Sequence, residues 1–413
     1  MKAEIITIGD ELLIGQVVDT NSAWIATELN KIGVSIYQIT SVSDQAEHIK
    51  KAISEASERA EIILITGGLG PTRDDITKQT LCDFFGSKLV LNQEALDNVA
   101  NIFKRFNAPL LDVNIKQAEV PDNCEVLQNK NGTAPGMLFR QHGKLFVSMP
   151  GVPFEMMSMM ENQVIPIMSE MFQMPSIIHK TLLTSGVGES FIAKKLEQLE
   201  DSLPANLKIA YLPKLGQVRI RLSAYGNDKQ QLTEQSKDWF DQIKETIASH
   251  IIFEGDGFVE HGVVEALKSK GKTLAIAESC TGGYISHLIT SIPGVSSVYQ
   301  GSVVPYSYEM KTNLLGVSSD SLVKYGAVSE QVVAEMLKGT LEVFKSDFAI
   351  AVSGVAGPDG GTPEKPVGFV YVGVASKNNT LIKSFRFGNK RVQNIERSAV
   401  AALTMMYHEI MKE

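Results

Sequence analysis

Short apolar segments alternate with helical segments at both ends of this 413-residue sequence. Near the amino terminus, candidate strands at 3–8, 36–42 and 62–65 alternate with candidate helices at 20–32 and 46–60. The Ile-Ile-Leu-Ile run at 62–65 is apolar throughout, which is typical of a strand buried on both faces. Such alternation predicts a parallel sheet covered by helices, with ligands at the carboxyl ends of the strands.

The length and a change of pattern divide the chain into domains. At roughly 150 residues per domain, 413 residues predict two or three domains. Residues 175–253 contain three strand candidates and two helix candidates, which predict a small α+β unit, and strand–helix alternation returns after residue 257. The predicted fold class is therefore α/β, with two α/β domains of mostly parallel sheet joined by a small α+β domain, at 1–170, 175–253 and 257–413.

The charge balance and the cysteines argue against several classes of protein. Lys plus Arg total 39 and Asp plus Glu total 47, a net charge of −8 that disfavours binding to a nucleic-acid backbone. The three cysteines form no CxxC pair and are too few for a disulfide framework, as in a reducing compartment. Neither a signal-peptide pattern nor an apolar stretch near the roughly 18 residues that span a bilayer is found. We expect a cytoplasmic protein without a membrane or nucleic-acid partner.

A glycine-rich turn follows the buried strand at 62–65 and leads into a helix. Its glycines, Gly67, Gly68 and Gly70, would let backbone N–H groups approach an anion, and the helix N-terminus adds favourable partial charge. A purely structural turn would carry the same glycines. The adjacent Asp74 and Asp75 could cap the helix, but two carboxylates beside a phosphate cradle favour a divalent cation between them. Both are therefore candidate metal ligands.

Further segments at the same predicted sheet edge carry a family resemblance. Residues 8–13, 19–21, 66–75 and 149–153 resemble the molybdopterin-binding fold of MoaB and MogA and, more closely, the amino-terminal half of CinA-like proteins. The resemblance implies hydrolysis of ADP-ribose to AMP and ribose 5-phosphate with a divalent cation (Mg, Mn or Co).

The resemblance also implies roles for two aspartates in this half. Asp44 and Asp75 fall where the pterin-binding relatives carry active-site aspartates. Placement beside the first strand and the glycine turn adds Asp10, Asn21 and Asp74 as contacts of substrate or metal. The amino-terminal site is thus predicted to comprise Asp10, Asn21, Asp44, Gly67, Gly68, Gly70, Asp74 and Asp75.

A second strand–turn–helix junction lies at 273–284. Ser279 would project from the sheet edge, and the N–H groups after it could hold an oxyanion, although a serine there could equally cap the helix. Cys280 is a rival nucleophile or an inert buried thiol. No histidine is an obvious base, and His287 is as readily structural. Lys311 could serve if burial kept its amine neutral.

The carboxy-terminal segments 277–283, 306–311, 326–329 and 352–361 resemble the CinA carboxy-terminal domain, the PncC amidase family. The resemblance implies hydrolysis of nicotinamide mononucleotide to nicotinate mononucleotide and ammonia, without a cofactor. It assigns the family's Ser, Tyr and Lys to Ser279, Tyr306 and Lys311. The proton would pass from Ser279 to Lys311 directly or through Tyr306.

Other residues of this half are predicted to bind the substrate. Backbone donors for the oxyanion are expected at Thr281, Gly282 and Gly283, and the turn with Gly354 and Gly357 would bind the ribose phosphate or wall the pocket. Where the family has a Gly-Asp-Arg run, this chain has Gly-Asn-Lys-Arg at 388–391. The residue for the nucleotide phosphate is therefore Arg391 or Arg397.

The middle segment resembles the KH-like insert of CinA proteins. A KH domain that binds RNA has a GXXG clamp, whereas this segment offers only Gly186-Val187-Gly188. A spacer or dimer element, and hence a homodimer, is expected. Two alternatives stay open: an amidase with a non-catalytic pterin- or nucleotide-binding amino-terminal half, and an adaptor in competence or DNA uptake.

Overall fold

The computed structural model describes residues 1–172 and 175–413. These residues form two compact units, one of residues 1–178 with 225–232 and one of residues 179–224 with 233–413. In the described ranges, no helix is both long and apolar enough to cross a membrane.

The first unit alternates strands and helices along most of its length. Its elements are β1 (Lys2–Ile8), α1 (Asp10–Leu13), α2 (Thr20–Lys31), β2 (Ser35–Val42), α3 (Ala46–Arg59), β3 (Ile62–Thr66), α4 (Thr77–Phe85), β4 (Leu89–Leu91), α5 (Gln93–Arg105), α6 (Asp112–Lys116), β5 (Glu119–Pro121), β6 (Glu125–Leu127), β7 (Gly136–Gln141), β8 (Lys144–Met149), α7 (Pro153–Met159) and α8 (Ile165–Met171). A π-helical turn, Met160–Val164, joins α7 to α8.

Six strands of this unit form one sheet in the order β2-β1-β3-β8-β7-β6, and β4 pairs with β5 separately. The first three pairs are parallel, so β1, β2, β3 and β8 all end at one edge of the sheet. Along β3, Ile62 and Leu64 pack into one hydrophobic cluster while Ile63 and Ile65 pack into the cluster on the other face. That two-sided burial confirms the interpretation of 62–65 as a central strand.

The second unit starts with a four-stranded sheet in the order β10-β11-β9-β12. Its elements are β9 (Ser176–Ser185), α9 (Glu189–Asp201), β10 (Leu207–Lys214), β11 (Gln217–Gly226), α10 (Lys229–Ile247) and β12 (Ile251–Glu254), of which residues 176–178, 225–226 and 229–232 fall in the first unit. The pairs β10–β11 and β9–β12 are antiparallel. This is the small α+β arrangement predicted for the middle of the chain.

The rest of the second unit is a five-stranded sheet covered by helices. Its elements are α11 (Val259–Lys270), β13 (Leu274–Glu278), α12 (Tyr284–Thr290), β14 (Tyr299–Val303), α13 (Tyr308–Leu315), α14 (Ser319–Tyr325), α15 (Glu330–Phe344), β15 (Phe348–Gly354), β16 (Phe369–Ser376), β17 (Thr380–Arg386) and α16 (Arg391–Lys412). The strand order is β14-β13-β15-β16-β17. Strand β13 is parallel to both of its neighbours, so β13, β14 and β15 end at one edge.

The α/β fold class is confirmed; three of the five strand pairs in the first unit's sheet are parallel, and two of the four in the five-stranded sheet of the second unit. β8–β7, β7–β6, β15–β16 and β16–β17 are antiparallel pairs. A parallel crossover needs about a dozen residues, whereas only His142 and Gly143 separate β7 from β8. Both have positive φ, 51° and 75°, as a two-residue hairpin turn requires.

Candidate functional site

The carboxyl edge of the second unit's five-stranded sheet brings a serine and a buried lysine together. Lys311 Nζ lies 3.1 Å from Ser279 Oγ, 2.7 Å from the carbonyl oxygen of Pro305 and 3.3 Å from that of Tyr306. The Lys311 side chain is fully buried, and this burial lowers its pKa to about 8. A neutral amine has two N–H groups for the two carbonyls, which leaves its lone pair for the serine proton.

Local structure explains how Lys311 reaches this position. Ser307 is the N-cap of α13, and its side chain accepts a hydrogen bond from the N–H of Met310 at 3.2 Å. The N–H of Lys311 donates to the Ser307 carbonyl at 3.2 Å, so Lys311 completes the first helical turn. The cap therefore sets the helix start that directs Lys311 inward.

The turn that carries Ser279 is tied by a buried carboxylate that the sequence analysis missed. Glu278, at the end of β13, is fully buried and accepts hydrogen bonds from the N–H groups of Gly283, Ile285 and Ser286 at 3.1, 3.1 and 2.8 Å. The Ser286 hydroxyl donates to it at 2.6 Å. An acidic residue just before the serine was the available signal, since carboxylates stabilise helix N-termini.

This capping corrects the predicted set of oxyanion donors. The Gly283 N–H is donated to Glu278, and the Gly282 N–H is donated to the Ser279 carbonyl at 3.2 Å. Gly282 and Gly283 instead supply positive φ angles of 63° and 98°. The buried hydroxyl of Thr281 has no hydrogen-bond partner within the described ranges, and the backbone donor expected at Thr281 stays a prediction.

Cys280 lies in the hydrophobic core beside the turn. Its side chain is buried, and burial raises the pKa of its thiol to about 12. A thiol in that state is almost wholly protonated at neutral pH and is a poor nucleophile. Of the two candidate nucleophiles, only Ser279 has the Lys311 amine within hydrogen-bond distance in the described ranges.

Tyr306 and Arg391 meet at the opening of this site. The Arg391 guanidinium donates to the Tyr306 hydroxyl at 3.3 Å and to the Gly357 carbonyl at 2.8 Å. The Tyr306 side chain is 59% exposed. The sequence allowed two proton routes from Ser279 to Lys311, one direct and one through the Tyr306 hydroxyl. Lys311 contacts Ser279 directly, so the geometry favours the direct route.

The other predicted substrate contacts of this half are Gly354, Gly357 and Arg397, and not all of them lie near Ser279. Gly354 ends β15, where a Cβ would come within 2.6 Å of Val370 Cγ2, so this glycine permits close packing. Gly357 holds Arg391 through its carbonyl. Arg397 is not at the serine: it lines a separate cavity with Lys383 and His408, so the choice between Arg391 and Arg397 falls on Arg391.

In the first unit, a cavity of about 370 Å³ opens at the carboxyl ends of β1, β2, β3 and β8. Six of the predicted residues line it: Asp44, Gly67, Gly68, Gly70, Asp74 and Asp75. Asp10 does not line it but donates its N–H to Asp44 at 3.0 Å. Asn21 lines a neighbouring cavity of about 120 Å³, and its buried Oδ1 has no partner in the described part of the chain.

The two adjacent aspartates of this cavity play different parts. Asp75 accepts hydrogen bonds from the N–H groups of Gly70 and Thr72, both at 2.8 Å, and from the Thr72 hydroxyl. It therefore holds the glycine turn. Asp74 is exposed at the cavity.

Carboxylates crowd the cavity on its other sides. Burial, together with the charges of Asp10, Glu11 and Asp74, raises the pKa of Asp44 despite its hydrogen bond from Asp10. The sequence analysis overlooked Glu11 and Glu155, which also line the cavity. In residues 1–172 and 175–413, no group of three or more Asp, Glu, His or Cys side chains forms a ready metal site. Two carboxylates, such as Asp44 and Asp74, are nevertheless enough for Mg²⁺ when substrate phosphates supply further ligands.

A partly buried lysine beside this cavity was also missed. Lys78, on the first turn of α4, donates to the carbonyl of Gln117, which lines the cavity. Burial lowers the Lys78 pKa to about 8, against the opposite effect of the Glu119 and Asp75 carboxylates.

The fold and the two sites define a protein with two α/β domains and a smaller domain inserted between them in sequence. Three family models match in this order: "Probable molybdopterin binding domain" at residues 4–170, "Damage-inducible protein CinA KH domain" at 179–252 and "CinA C-terminal domain" at 257–410. The chain belongs to the CinA family.

Relatives along the whole length agree with this assignment. A CinA-like protein of Flavobacterium psychrophilum is 44% identical over 414 residues, covering 100% of this chain and 99% of the relative. A CinA-like protein of Cytophaga hutchinsonii is 43% identical, covering 99% and 98%. A solved competence/damage inducible protein CihA from Agrobacterium tumefaciens is 36% identical, covers 36% of this chain and 92% of its own, and has a TM-score of 0.36.

Proposed function

We propose that the carboxy-terminal domain hydrolyses the carboxamide of nicotinamide mononucleotide to nicotinate mononucleotide and ammonia. The observation that carries this proposal is the 3.1 Å contact between the Lys311 amine and the Ser279 hydroxyl, at a lysine whose pKa burial lowers to about 8. A serine with a neutral lysine as its base is a nucleophile for acyl transfer. The resemblance to the PncC amidases supplies the substrate.

In the first half-reaction, the neutral Lys311 amine takes the proton of the Ser279 hydroxyl. The serine oxygen forms a bond to the carboxamide carbon, and the carbonyl electron pair moves onto oxygen. We assign this oxyanion to the N–H groups of Cys280 and Thr281, because those of Gly282 and Gly283 have other acceptors. Lys311 then protonates the amide nitrogen, the C–N bond breaks and ammonia leaves.

Water completes the cycle. Lys311, neutral again, takes a proton from water while the hydroxide oxygen bonds to the acyl carbon. The bond to Ser279 breaks, Lys311 returns its proton to the serine oxygen, and nicotinate mononucleotide leaves as the carboxylate. Arg391, positioned by the Tyr306 hydroxyl and the Gly357 carbonyl, is the cation for the nucleotide phosphate.

The test is ammonia release from nicotinamide mononucleotide by the full chain and by Ser279→Ala. We expect release by the wild type and a loss of at least about 10³-fold in the variant, because the attacking atom is gone. A wild type that releases no ammonia would overturn the proposal and leave the adaptor role open. Equal ammonia release by both proteins would show that Ser279 is not the nucleophile.

For the amino-terminal domain, we propose divalent-cation-dependent hydrolysis of ADP-ribose to AMP and ribose 5-phosphate. The supporting observation is the cavity of about 370 Å³ that combines the turn glycines with the carboxylates of Asp44 and Asp74. Burial raises the Asp44 pKa, and the charges of Asp10, Glu11 and Asp74 raise it further; a cation would relieve this charge repulsion. Such a cation would supply charge neutralisation for the diphosphate, and Asp44 and Asp74 are the residues that would hold it.

AMP release from ADP-ribose, by wild type and Asp44→Asn, tests this second activity. We expect the variant to lose at least about tenfold in kcat/KM, because one of the two cation-binding carboxylates is removed. A wild type that binds a pterin or nucleotide without releasing AMP would establish the alternative of a non-catalytic binding domain.

A further inference from the structure

A third cavity, of about 700 Å³, lies within the second unit and belongs to neither proposed site. It opens where the loop Ser185–Val187 and His250 of the KH-like segment face β17 and the second half of α16. Neither Ser279 nor Lys311 lines it. Its volume falls in the range of small-molecule sites, roughly 300–1,000 Å³.

The charged groups that line this cavity are all basic. They are Lys383 on β17 and Arg397 on α16; the imidazoles of His250 and His408 lie beside them, and no carboxylate of the described residues lines the cavity. No acidic group lies within 4.0 Å of Lys383 or Arg397 in the described ranges. The chain has a net charge of −8, so a cavity with two cations and no carboxylate differs from the chain as a whole and favours an anionic ligand.

The pKa of His408 also indicates a positive electrostatic potential in this cavity. Burial lowers the pKa of this imidazole, and the charges of Lys412, Lys383 and His250 lower it further. A bound anion would relieve that repulsion. The Ser185 and Thr404 hydroxyls, 2.7 Å apart on the cavity wall, add neutral hydrogen-bonding groups.

The cavity also has an aromatic and aliphatic wall. Phe385 and Phe387 stack on each other with ring centroids 5.5 Å apart and an interplanar angle of 10°. Val187, Val400 and Met405 extend this apolar surface. A ligand that uses both walls must carry a negative charge and a flat apolar part.

We propose that this cavity binds a nucleoside monophosphate, with the phosphate at Arg397 and Lys383 and the base against the Phe385–Phe387 wall. Arg and Lys supply the charge-assisted contacts that a phosphate takes. Aromatic side chains accept any base by stacking, so this wall does not select among bases. The site is separate from the serine site and from the amino-terminal cavity, and it stands whether or not either proposed activity is found.

The experiment is photolabelling of the full chain with 2-azido-AMP, followed by mapping of the labelled peptides by mass spectrometry. Mapping distinguishes this cavity from the other two sites, which also face nucleotides. We expect label within residues 383–387, 397–408 or 185–187, away from Arg391 of the serine site, and at least about a tenfold loss of that label in Arg397→Ala and Lys383→Ala. The matched control is Arg386→Ala, because Arg386 lies over the Phe369 ring at 5.7 Å and does not line the cavity.

Competitors define the ligand class. Unlabelled AMP should prevent the label in this cavity at concentrations where adenosine and inorganic phosphate do not. Thermal unfolding midpoints of Lys383→Ala and Arg386→Ala should match that of the wild type, which shows that both variants are folded. The proposal fails if the label is confined to the other two sites, if Arg386→Ala loses as much label as Arg397→Ala, or if a short single-stranded RNA competes and AMP does not.

Discussion

The two glycine-rich strand-to-helix turns of the proposed sites are both held by an acidic side chain, but the two acidic side chains differ in burial. At the end of β13, the buried Glu278 takes the N–H groups of Gly283, Ile285 and Ser286. After β3, the partly exposed Asp75 takes those of Gly70 and Thr72. In each turn an acidic side chain occupies backbone donors that glycine-rich turns elsewhere offer to phosphates. A glycine-rich turn by itself is therefore a poor guide to where an anion binds.

The surrounding charges separate the two sites. The serine site holds one buried lysine whose amine contacts the Ser279 hydroxyl directly, so every group in the proposed acyl transfer belongs to the chain. The amino-terminal cavity is lined by carboxylates, among them Glu11 and Asp74, whose charges add to burial in raising the pKa of Asp44, and the hydrolysis proposed there requires a cation from outside the chain. The difference predicts opposite responses to chelators and to mutation of the two lysines whose pKa burial lowers.

The largest expected contrast is in sensitivity to EDTA. We expect EDTA to reduce AMP release from ADP-ribose below detection and to leave ammonia release from nicotinamide mononucleotide unchanged, because only the carboxylate-lined cavity depends on a cation. Both products are measured on the same preparation, and added Mg²⁺ in excess of EDTA should restore AMP. Equal sensitivity of the two activities to EDTA would contradict the claim that only the amino-terminal site depends on a cation.

Lys311→Met should lower ammonia release by about 10²–10⁴-fold, because general-base catalysis contributes roughly that factor. Lys78→Met is the matched control: Lys78 is a partly buried lysine whose pKa burial also lowers to about 8, but it donates to the Gln117 carbonyl and not to a serine. Ammonia release by Lys78→Met should stay within about twofold of wild type. A comparable loss in both variants would show that burial of a lysine, rather than its contact with Ser279, explains the result.

The pH dependence of ammonia release should follow the same lysine. Lys311 is active as the neutral amine, and its pKa is lowered to about 8 by burial. Below that value kcat/KM should fall about tenfold per pH unit, and above it kcat/KM should level off. A profile that is flat from pH 6 to 9 in nicotinamide mononucleotide deamidation would contradict Lys311 as the base.

Much of this architecture could be predicted from the sequence, because it depends on local patterns. The two α/β regions, the α+β segment between them, and the grouping of Asp44, Gly67 and Asp74 follow from strand-end positions in a parallel sheet. The antiparallel strands were not foreseen, since pairing direction depends on short connections such as His142-Gly143.

The missed and misplaced site residues have a common cause. Glu278 and Lys78 act through burial, which a sequence of alternating polar and apolar residues does not reveal. Arg397 and Arg391 lie six positions apart on α16, so they project from different sides of the helix and reach different cavities. Which of them faces the serine depends on how α16 packs against the sheet.

The turn comparison predicts a moderate difference in local stability. Glu278→Gln removes the charge that accepts three N–H groups, so the amides of Gly283, Ile285 and Ser286 should exchange hydrogen at least about tenfold faster. Asp75→Asn should have a smaller effect on Gly70 and Thr72, because solvent screens that exposed pair of contacts. Amide exchange by mass spectrometry or NMR measures both, and a larger effect in Asp75→Asn would reverse the order of the two turns.

The smallest expected effect is that of Cys280→Ala. Burial raises the pKa of this thiol to about 12, so almost no thiolate exists at neutral pH, and the variant should keep ammonia release within about twofold of wild type. Ser279→Ala, one residue away in the same turn, is the control that loses activity. The pair of variants isolates the nucleophile because both substitutions remove one small polar atom. Loss in Cys280→Ala with retention in Ser279→Ala would assign the attack to the thiol, and the contact between Lys311 and Ser279 would then have another role.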